Sequence, residues 1–126
     1  MNITDFFQLE PASPSLEDLP TPIPVIDLDV VERNAMRWQV HCDEIGFGNR
    51  PHIKTHKLVP LARYQMALGA RGITVQKLGE AEVMADAGIR DMLLTFNVVG
   101  RSKLERLAAL MRRTEINVVA DRKSVV

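Results

Sequence analysis

The chain has 126 residues, and its 16 basic residues are balanced by 16 acidic ones, so the formal net charge is zero. This length suits one domain with a modest core, and the charge balance argues against a nucleic-acid or anionic-membrane binder. A single cysteine, Cys42, excludes an internal disulfide and a cysteine-rich zinc site. The N-terminus lacks a basic region followed by a long apolar run, so we expect a cytoplasmic protein without a signal peptide or membrane span.

The first part of the chain predicts an arm that leads into a domain. Residues 1–22 are rich in proline, serine and acidic groups, which predicts an N-terminal arm before a domain over residues 23–126. Residues 24–28 have the composition of a short strand. An Asp-x-x-Glu capping box that begins at Asp29 then predicts a helix to about Glu44.

From residue 50 onward, strand and helix patterns alternate. Strands are predicted over 50–56, 72–77, 91–96 and 116–120. Helices are predicted over 58–68, 80–87 and 102–112, and the last of them has a capping box that begins at Ser102. A further helix is predicted to start at Ser124. This alternation, with a repeat of about 20–25 residues, is typical of a parallel α/β sheet. Two architectures fit the pattern: a complete small open sheet, and the N-terminal half of a (β/α)8 barrel, which takes roughly 250 residues when closed. We favour the half barrel.

The segment 50–57, Arg-Pro-His-Ile-Lys-Thr-His-Lys, is the most unusual part of the sequence. Because side chains alternate along a strand, a strand here places Arg50, His52, Lys54 and His56 on one face. A face made only of cations and imidazoles is unusual, since buried charge is costly unless it is paired or used. The segment therefore predicts a functional site.

Polar residues also lie at the carboxyl ends of the other predicted strands. They are Gln76 and Lys77, Thr95 and Asn97, and Asp121. In parallel α/β folds the functional groups lie at the carboxyl ends of the strands, although solvated strand ends are polar as well. A lysine at such a site suits covalent chemistry with an aldehyde, and pyridoxal phosphate is the common aldehyde held by an enzyme lysine. The amine must be neutral to react, and burial or neighbouring positive charge lowers the ordinary lysine pKa of about 10.4.

Segment 50–57 closely resembles the lysine motif of the D-threonine aldolase and D-serine dehydratase group, within the alanine-racemase-like (fold type III) pyridoxal phosphate enzymes. The resemblance continues in order along the chain, through residues 24–27, 32–34, 69–70, 72–82, 121 and 124–126. It implies a (β/α)8 barrel followed by a mostly β domain, with the N-terminal half of the barrel in this chain.

The resemblance also implies roles for individual residues. Lys54 is implied to hold pyridoxal phosphate, with His52, His56, Gln76 and Arg50 as further cofactor-binding residues. Lys57 is expected to be solvated or to face the cofactor phosphate. For Glu80 and Glu82 we expect a favourable interaction with a helix dipole rather than catalysis.

No metal ligands are assigned in this sequence. The resemblance implies a divalent metal in full-length relatives, with ligands from later parts of their chains. On a strand, His52 and His56 would lie about 13 Å apart, which is too far for one ion. His41 is expected at the surface of a helix.

The resemblance leaves several functions open. The first is a pyridoxal phosphate lyase for β-hydroxy D-amino acids that resembles D-threonine aldolase and cleaves its substrate to glycine and an aldehyde. The alternatives are a lyase resembling D-serine dehydratase, a truncated homologue that at most binds the cofactor, and a cofactor carrier. We expect a small D-amino acid as partner and a homodimer, with no nucleic acid and no membrane.

Overall fold

The structure is a computed structural model, and it describes residues 1–7 and 15–120. Its helices are α1 (Leu28–Glu44), α2 (Val59–Ala67), α3 (Leu78–Asp86) and α4 (Arg101–Met111), and its strands are β1 (Ile73–Val75), β2 (Asp91–Leu94) and β3 (Glu115–Val118). Two short 3-10 helices, Ile3–Phe6 and Leu16–Asp18, precede α1. Asp121 and the predicted helix start at Ser124 lie outside the described residues.

The predicted parallel sheet is confirmed. The strand order is β1-β2-β3, and both pairs are parallel, with Thr74 opposite Leu93 and Leu93 opposite Asn117. One face of this sheet packs on the helices, where the main core is formed by Ile53, Ala62, Ile73, Val75, Leu78, Ala81, Met84, Ala85, Ile89, Met92, Leu94, Leu107 and Leu110. Since side chains alternate along strands, Thr74 and Leu93 belong to the opposite face.

The prediction of a strand over 50–56 is wrong beyond its first half. A single parallel bridge joins His52 to Thr74, and residues 53–56 form a turn instead. The turn is closed by a 2.8 Å hydrogen bond from the Lys57 N–H to the Ile53 carbonyl. The predicted common face of four polar residues is therefore lost, because the alternation stops at Ile53.

The backbone hydrogen bonds explain where this strand stops. Thr74 donates its N–H to the Pro51 carbonyl, and Ile53 donates its N–H to the Thr74 carbonyl. In a parallel ladder the next bond would run from the Gln76 N–H to the Ile53 carbonyl. Instead, the Gln76 N–H donates to the Glu80 carboxylate, and the Ile53 carbonyl accepts from Lys57.

Three other expectations about element ends are corrected. Residues 24–27 form no strand, and Val25 is 63% exposed, because no described strand pairs with them. The cap of α1 is Asp27, whose carboxylate accepts from the Val30 N–H, rather than Asp29. The helix predicted from Ser102 starts after Gly100 and has no side-chain cap.

The start of the chain packs on the helices. Ile3 is buried, and its N–H donates to the Glu32 carboxylate of α1 at 3.0 Å. The same carboxylate oxygen accepts from the hydroxyl of Tyr64 in α2, and the Phe6 ring meets the Tyr64 ring edge-on. Residues 1–7 thus form part of a second apolar cluster between α1 and α2. Among the described residues, no helix is long and apolar enough to cross a membrane.

Candidate functional site

The structure separates Arg50 from the other predicted site residues. Its guanidinium forms two hydrogen bonds with the carboxylate of Asp91, which is the first residue of β2. Arg50 therefore lies toward the amino end of the sheet, whereas the turn after His52 lies at the carboxyl end. An ion pair between partly buried side chains gives Arg50 a structural partner at that position.

Lys54 lies in the turn at the carboxyl end of the sheet. Its side chain is exposed. Positive charge near Lys54 was expected to favour its neutral amine. Two of these cations form ion pairs with carboxylates instead, Arg50 with Asp91 and Lys57 with Glu80. What the fold supplies instead is a fixed backbone, because the Lys54 N–H donates to His52 Nδ1 at 3.2 Å.

This backbone bond defines the hydrogen-bonding role of His52. Because Nδ1 accepts the hydrogen bond from the Lys54 N–H, the neutral ring carries its own proton on Nε2. Nε2 lies 3.5 Å from the hydroxyl oxygen of Thr95, and that hydroxyl donates to the Val75 carbonyl at 3.2 Å. Thr95 was a candidate from its position at the end of a predicted strand, and the structure brings it next to His52.

His56 has the same arrangement at the other end of the turn. Its Nδ1 accepts the Leu58 N–H at 3.0 Å, just before α2 begins. Burial lowers the pKa of His56 from its ordinary value of 6.5, which favours the neutral ring with its proton on Nε2. That Nε2 atom is buried and has no hydrogen-bond partner among the described residues. It is therefore an unsatisfied buried donor among the described residues.

Glu80 was assigned only a helix-dipole role from the sequence, yet it joins two parts of the site. Its Oε2 accepts the Gln76 N–H at 2.8 Å, and its Oε1 lies 3.3 Å from the Lys57 ammonium. The signal in the sequence was a glutamate four residues after a strand-end glutamine, a spacing that lets the carboxylate fold back over the first turn of α3. Glu82 instead pairs with Arg106 of α4, which lowers the pKa of Glu82.

Among the remaining candidates, Lys77 lies close to the end of the turn, where it lines a cavity together with Lys57 and Glu80. Lys77 and Asn97 line a cavity of about 350 Å³ beside Leu78 and Phe96. Cys42 is buried, and His41 is exposed on α1, as expected. Within residues 1–7 and 15–120, no group of three or more His, Cys, Asp or Glu side chains could hold a metal ion.

The fold and the order of its motifs have counterparts in known proteins. The family described as "Alanine racemase, N-terminal domain" matches residues 26–124, and the chain belongs to this family. A D-threonine aldolase from Arthrobacter sp is 42% identical over 113 residues, which are 88% of this chain and 30% of that protein. The D-threo-3-hydroxyaspartate dehydratase of Delftia sp. (strain HT23) is 40% identical over 107 residues, 85% of this chain and 28% of that protein.

The solved structures agree with the sequence relatives. The crystal structure of D-threonine aldolase from Filomicrobium marinum matches with a TM-score of 0.82 at 46% identity, over 85% of this chain and 29% of that one. The chain thus spans about 30% of the length of the curated relatives it matches. Its three parallel strands, their helices and the bridge at His52 form part of a barrel of the alanine racemase N-terminal type, which agrees with the partial barrel predicted from the sequence.

Proposed function

We propose that this chain contributes the cofactor lysine of a pyridoxal phosphate-dependent lyase for β-hydroxy D-amino acids, similar to D-threonine aldolase. One observation carries the proposal. Lys54 presents an exposed amine from a hydrogen-bonded turn at the carboxyl end of a parallel sheet, in a chain that belongs to the alanine racemase N-terminal domain family. In parallel α/β barrels this end carries the functional groups.

The residues around Lys54 fit pyridoxal phosphate. An accessible primary amine is the group that reacts with the cofactor's aldehyde. His56 adds an imidazole beside the turn, held by the bond from the Leu58 N–H to its Nδ1. We propose that Lys54 holds the cofactor covalently, with His52, His56 and Gln76 on its binding side. Arg50 was also expected there, but its ion pair with Asp91 leaves it without that role in this proposal.

When bound, pyridoxal phosphate supplies an electron sink for breaking a bond to the substrate's α-carbon. The chain's own groups have simpler tasks. Lys54 Nζ binds the cofactor and takes or returns a proton as substrate replaces it. The Lys54 backbone keeps the His52 ring in the Nε2–H form, so that this ring is a donor toward Thr95 and not a base at that atom. The lowered pKa of His56 keeps its ring neutral, so it donates one hydrogen bond without adding positive charge.

The dehydratase alternative has support of its own. The Delftia protein is a dehydratase, and its identity to this chain is nearly that of the Arthrobacter aldolase. We therefore assign to no described residue the role of selecting between the aldolase and the dehydratase reaction. A divalent metal, a homodimer and a cytoplasmic location also stay predictions, as does a D-amino acid substrate.

Product analysis tests the proposed function. Purified chain is incubated with pyridoxal phosphate and Mn²⁺, and then with D-threonine, D-serine or L-threonine. Acetaldehyde plus glycine from D-threonine alone supports the aldolase, whereas 2-oxobutanoate from D-threonine, or pyruvate from D-serine, supports the dehydratase. Cofactor bound at Lys54 without any product supports the truncated homologue that only binds the cofactor. Equal cleavage of L-threonine contradicts the D-specific proposal.

A further inference from the structure

We propose that Glu80 is a positioning residue for Lys54, which it controls through the Gln76 backbone and the Lys57 ammonium. The proposal rests on the proposed function for the role of Lys54 itself. Glu80 does not touch Lys54. It determines whether the backbone that carries Lys54 is a turn or the continuation of a strand.

The first step is a competition for one backbone donor. A regular parallel ladder would join the Gln76 N–H to the Ile53 carbonyl, after the bonds that already link Ile53, Thr74 and Pro51. Glu80 Oε2 takes the Gln76 N–H at 2.8 Å instead. The Ile53 carbonyl is then available to accept the Lys57 N–H at 2.8 Å, and this bond closes the turn that contains Lys54.

The second step concerns the end of that turn. Lys57 has a φ of +55°, a left-handed conformation that is uncommon for residues with a Cβ. Such a conformation persists when surrounding contacts hold it. Its ammonium lies 3.3 Å from Glu80 Oε1, so the same carboxylate that ends the ladder also holds the residue that closes the turn.

The third step is the burial of Glu80. Its side chain is only 8% exposed, whereas that of Lys57 is 51% exposed. Oε1 has no directed hydrogen bond among the described residues, so the Lys57 ammonium is its counter-charge within them. A carboxylate in this position requires compensation, because an unpaired buried charge is costly. The Glu80 carboxylate and the Lys57 ammonium therefore depend on each other. Lys54 lies in the turn that Lys57 closes.

A general contribution to α3 is the alternative role for Glu80, since acidic residues stabilise helix starts. Glu82 provides the matched control. It lies on the same helix and forms an ion pair of its own with Arg106, but it has no bond to the turn or to the end of β1. A role in overall stability alone predicts similar effects of Glu80→Gln and Glu82→Gln on the site, whereas a helix-start role of Glu80 predicts lost protection within α3 rather than at the Lys57 amide.

Amide hydrogen exchange of the cofactor-free chain is the direct test. Protection of the Lys57 amide reports the turn, and protection of the Thr74 amide reports the neighbouring sheet. For Glu80→Ala we expect Lys57 protection to fall roughly tenfold or more while Thr74 keeps its protection. Glu80→Gln keeps an oxygen for the Gln76 N–H and loses the charge facing Lys57, so we expect a smaller fall. Glu82→Gln should leave both amides unchanged.

Borohydride fixation of pyridoxal phosphate gives the second readout. Peptide mapping of the reduced chain compares the cofactor attached to Lys54 and to Lys57, and we expect Glu80→Ala to shift attachment away from Lys54 while Glu82→Gln has no effect. Wild-type protection of Lys57 in both Glu80 variants, or equal losses in Glu82→Gln, would overturn the positioning role. If the wild-type chain attaches no cofactor at Lys54, the proposed function fails, while the exchange data still decide whether Glu80 forms the turn.

Discussion

The guanidinium of Arg50 and the carboxylate of Asp91 join the first half of the lysine motif to the start of β2, at the amino end of the sheet. Gly72 lies between them, where a side chain would meet both groups. The fold thus places the two halves of the lysine motif at opposite ends of the sheet. Its arginine holds neighbouring segments of the sheet together, and its lysine lies in the turn at the opposite end.

Gly72→Ala tests this packing. An added Cβ would contact the Arg50 guanidinium and would lie 2.6 Å from the Asp91 carbonyl oxygen, which is backbone and does not yield easily. We expect the free energy of unfolding to fall by about 1–3 kcal/mol, as for other overpacked sites. Urea denaturation measures it. Gly79→Ala is the control, because a Cβ on this α3 glycine meets nothing within 4 Å, and an equal loss there would contradict the explanation.

The hydrogen bond between Tyr64 and Glu32 provides a second prediction. The buried Tyr64 hydroxyl donates to Glu32 Oε1, and burial together with this carboxylate raises the pKa of Tyr64. We expect Tyr64→Phe to lower the free energy of unfolding by about 1–2 kcal/mol, since a carboxylate loses a donor.

A mutant cycle separates this bond from general packing. In urea denaturation, the loss from Tyr64→Phe combined with Glu32→Ala should be smaller than the sum of the two single losses, because each single variant already removes the hydrogen bond between these side chains. Strict additivity of the three free-energy changes would show that the hydroxyl and the carboxylate act independently.

His56 predicts a pH dependence of stability. Its pKa in the folded chain lies below the ordinary 6.5, because burial disfavours the charged ring. As the pH falls through the unfolded value, the unfolded chain binds the proton first, so the free energy of unfolding decreases toward acid pH. Above the unfolded pKa both states carry a neutral ring, and this contribution is fully present.

Urea denaturation from about pH 7.5 to about pH 5.5 measures this effect. His56→Asn keeps a side-chain acceptor for the Leu58 N–H and removes the titrating ring. We expect the variant to lose less stability than the wild type over this interval. Parallel stability curves for the two proteins would show that His56 does not contribute to the dependence.

Most of the regular structure could be predicted from the sequence, because helices and strands depend on local patterns of residues. Apolar periodicity and glycine positions located α1 to α4, and the alternation of elements indicated the parallel sheet that joins Ile73–Val75 to the following strands. The lysine turn was missed for a different reason. Residues 50–56 have strand propensities, but the ladder ends at Ile53, where the Gln76 N–H donates to the Glu80 side chain and the Ile53 carbonyl accepts from Lys57.

The candidate site was also predictable only in part. Motif resemblance singled out Lys54, His52 and His56, and the fold places all three around one turn. The partner of Arg50 is not visible in the sequence, since Asp91 is 41 residues away and is brought close only by strand pairing.

The central claim is that Lys54, and not Lys57, holds the cofactor. Its most direct test is borohydride reduction of the wild-type chain with bound pyridoxal phosphate, followed by peptide mass mapping, with Lys54→Ala and Lys57→Ala as matched variants. We predict the reduced cofactor on Lys54, its loss in Lys54→Ala and its retention in Lys57→Ala. Cofactor on Lys57, or the same amount of bound cofactor in Lys54→Ala as in the wild type, would contradict the account.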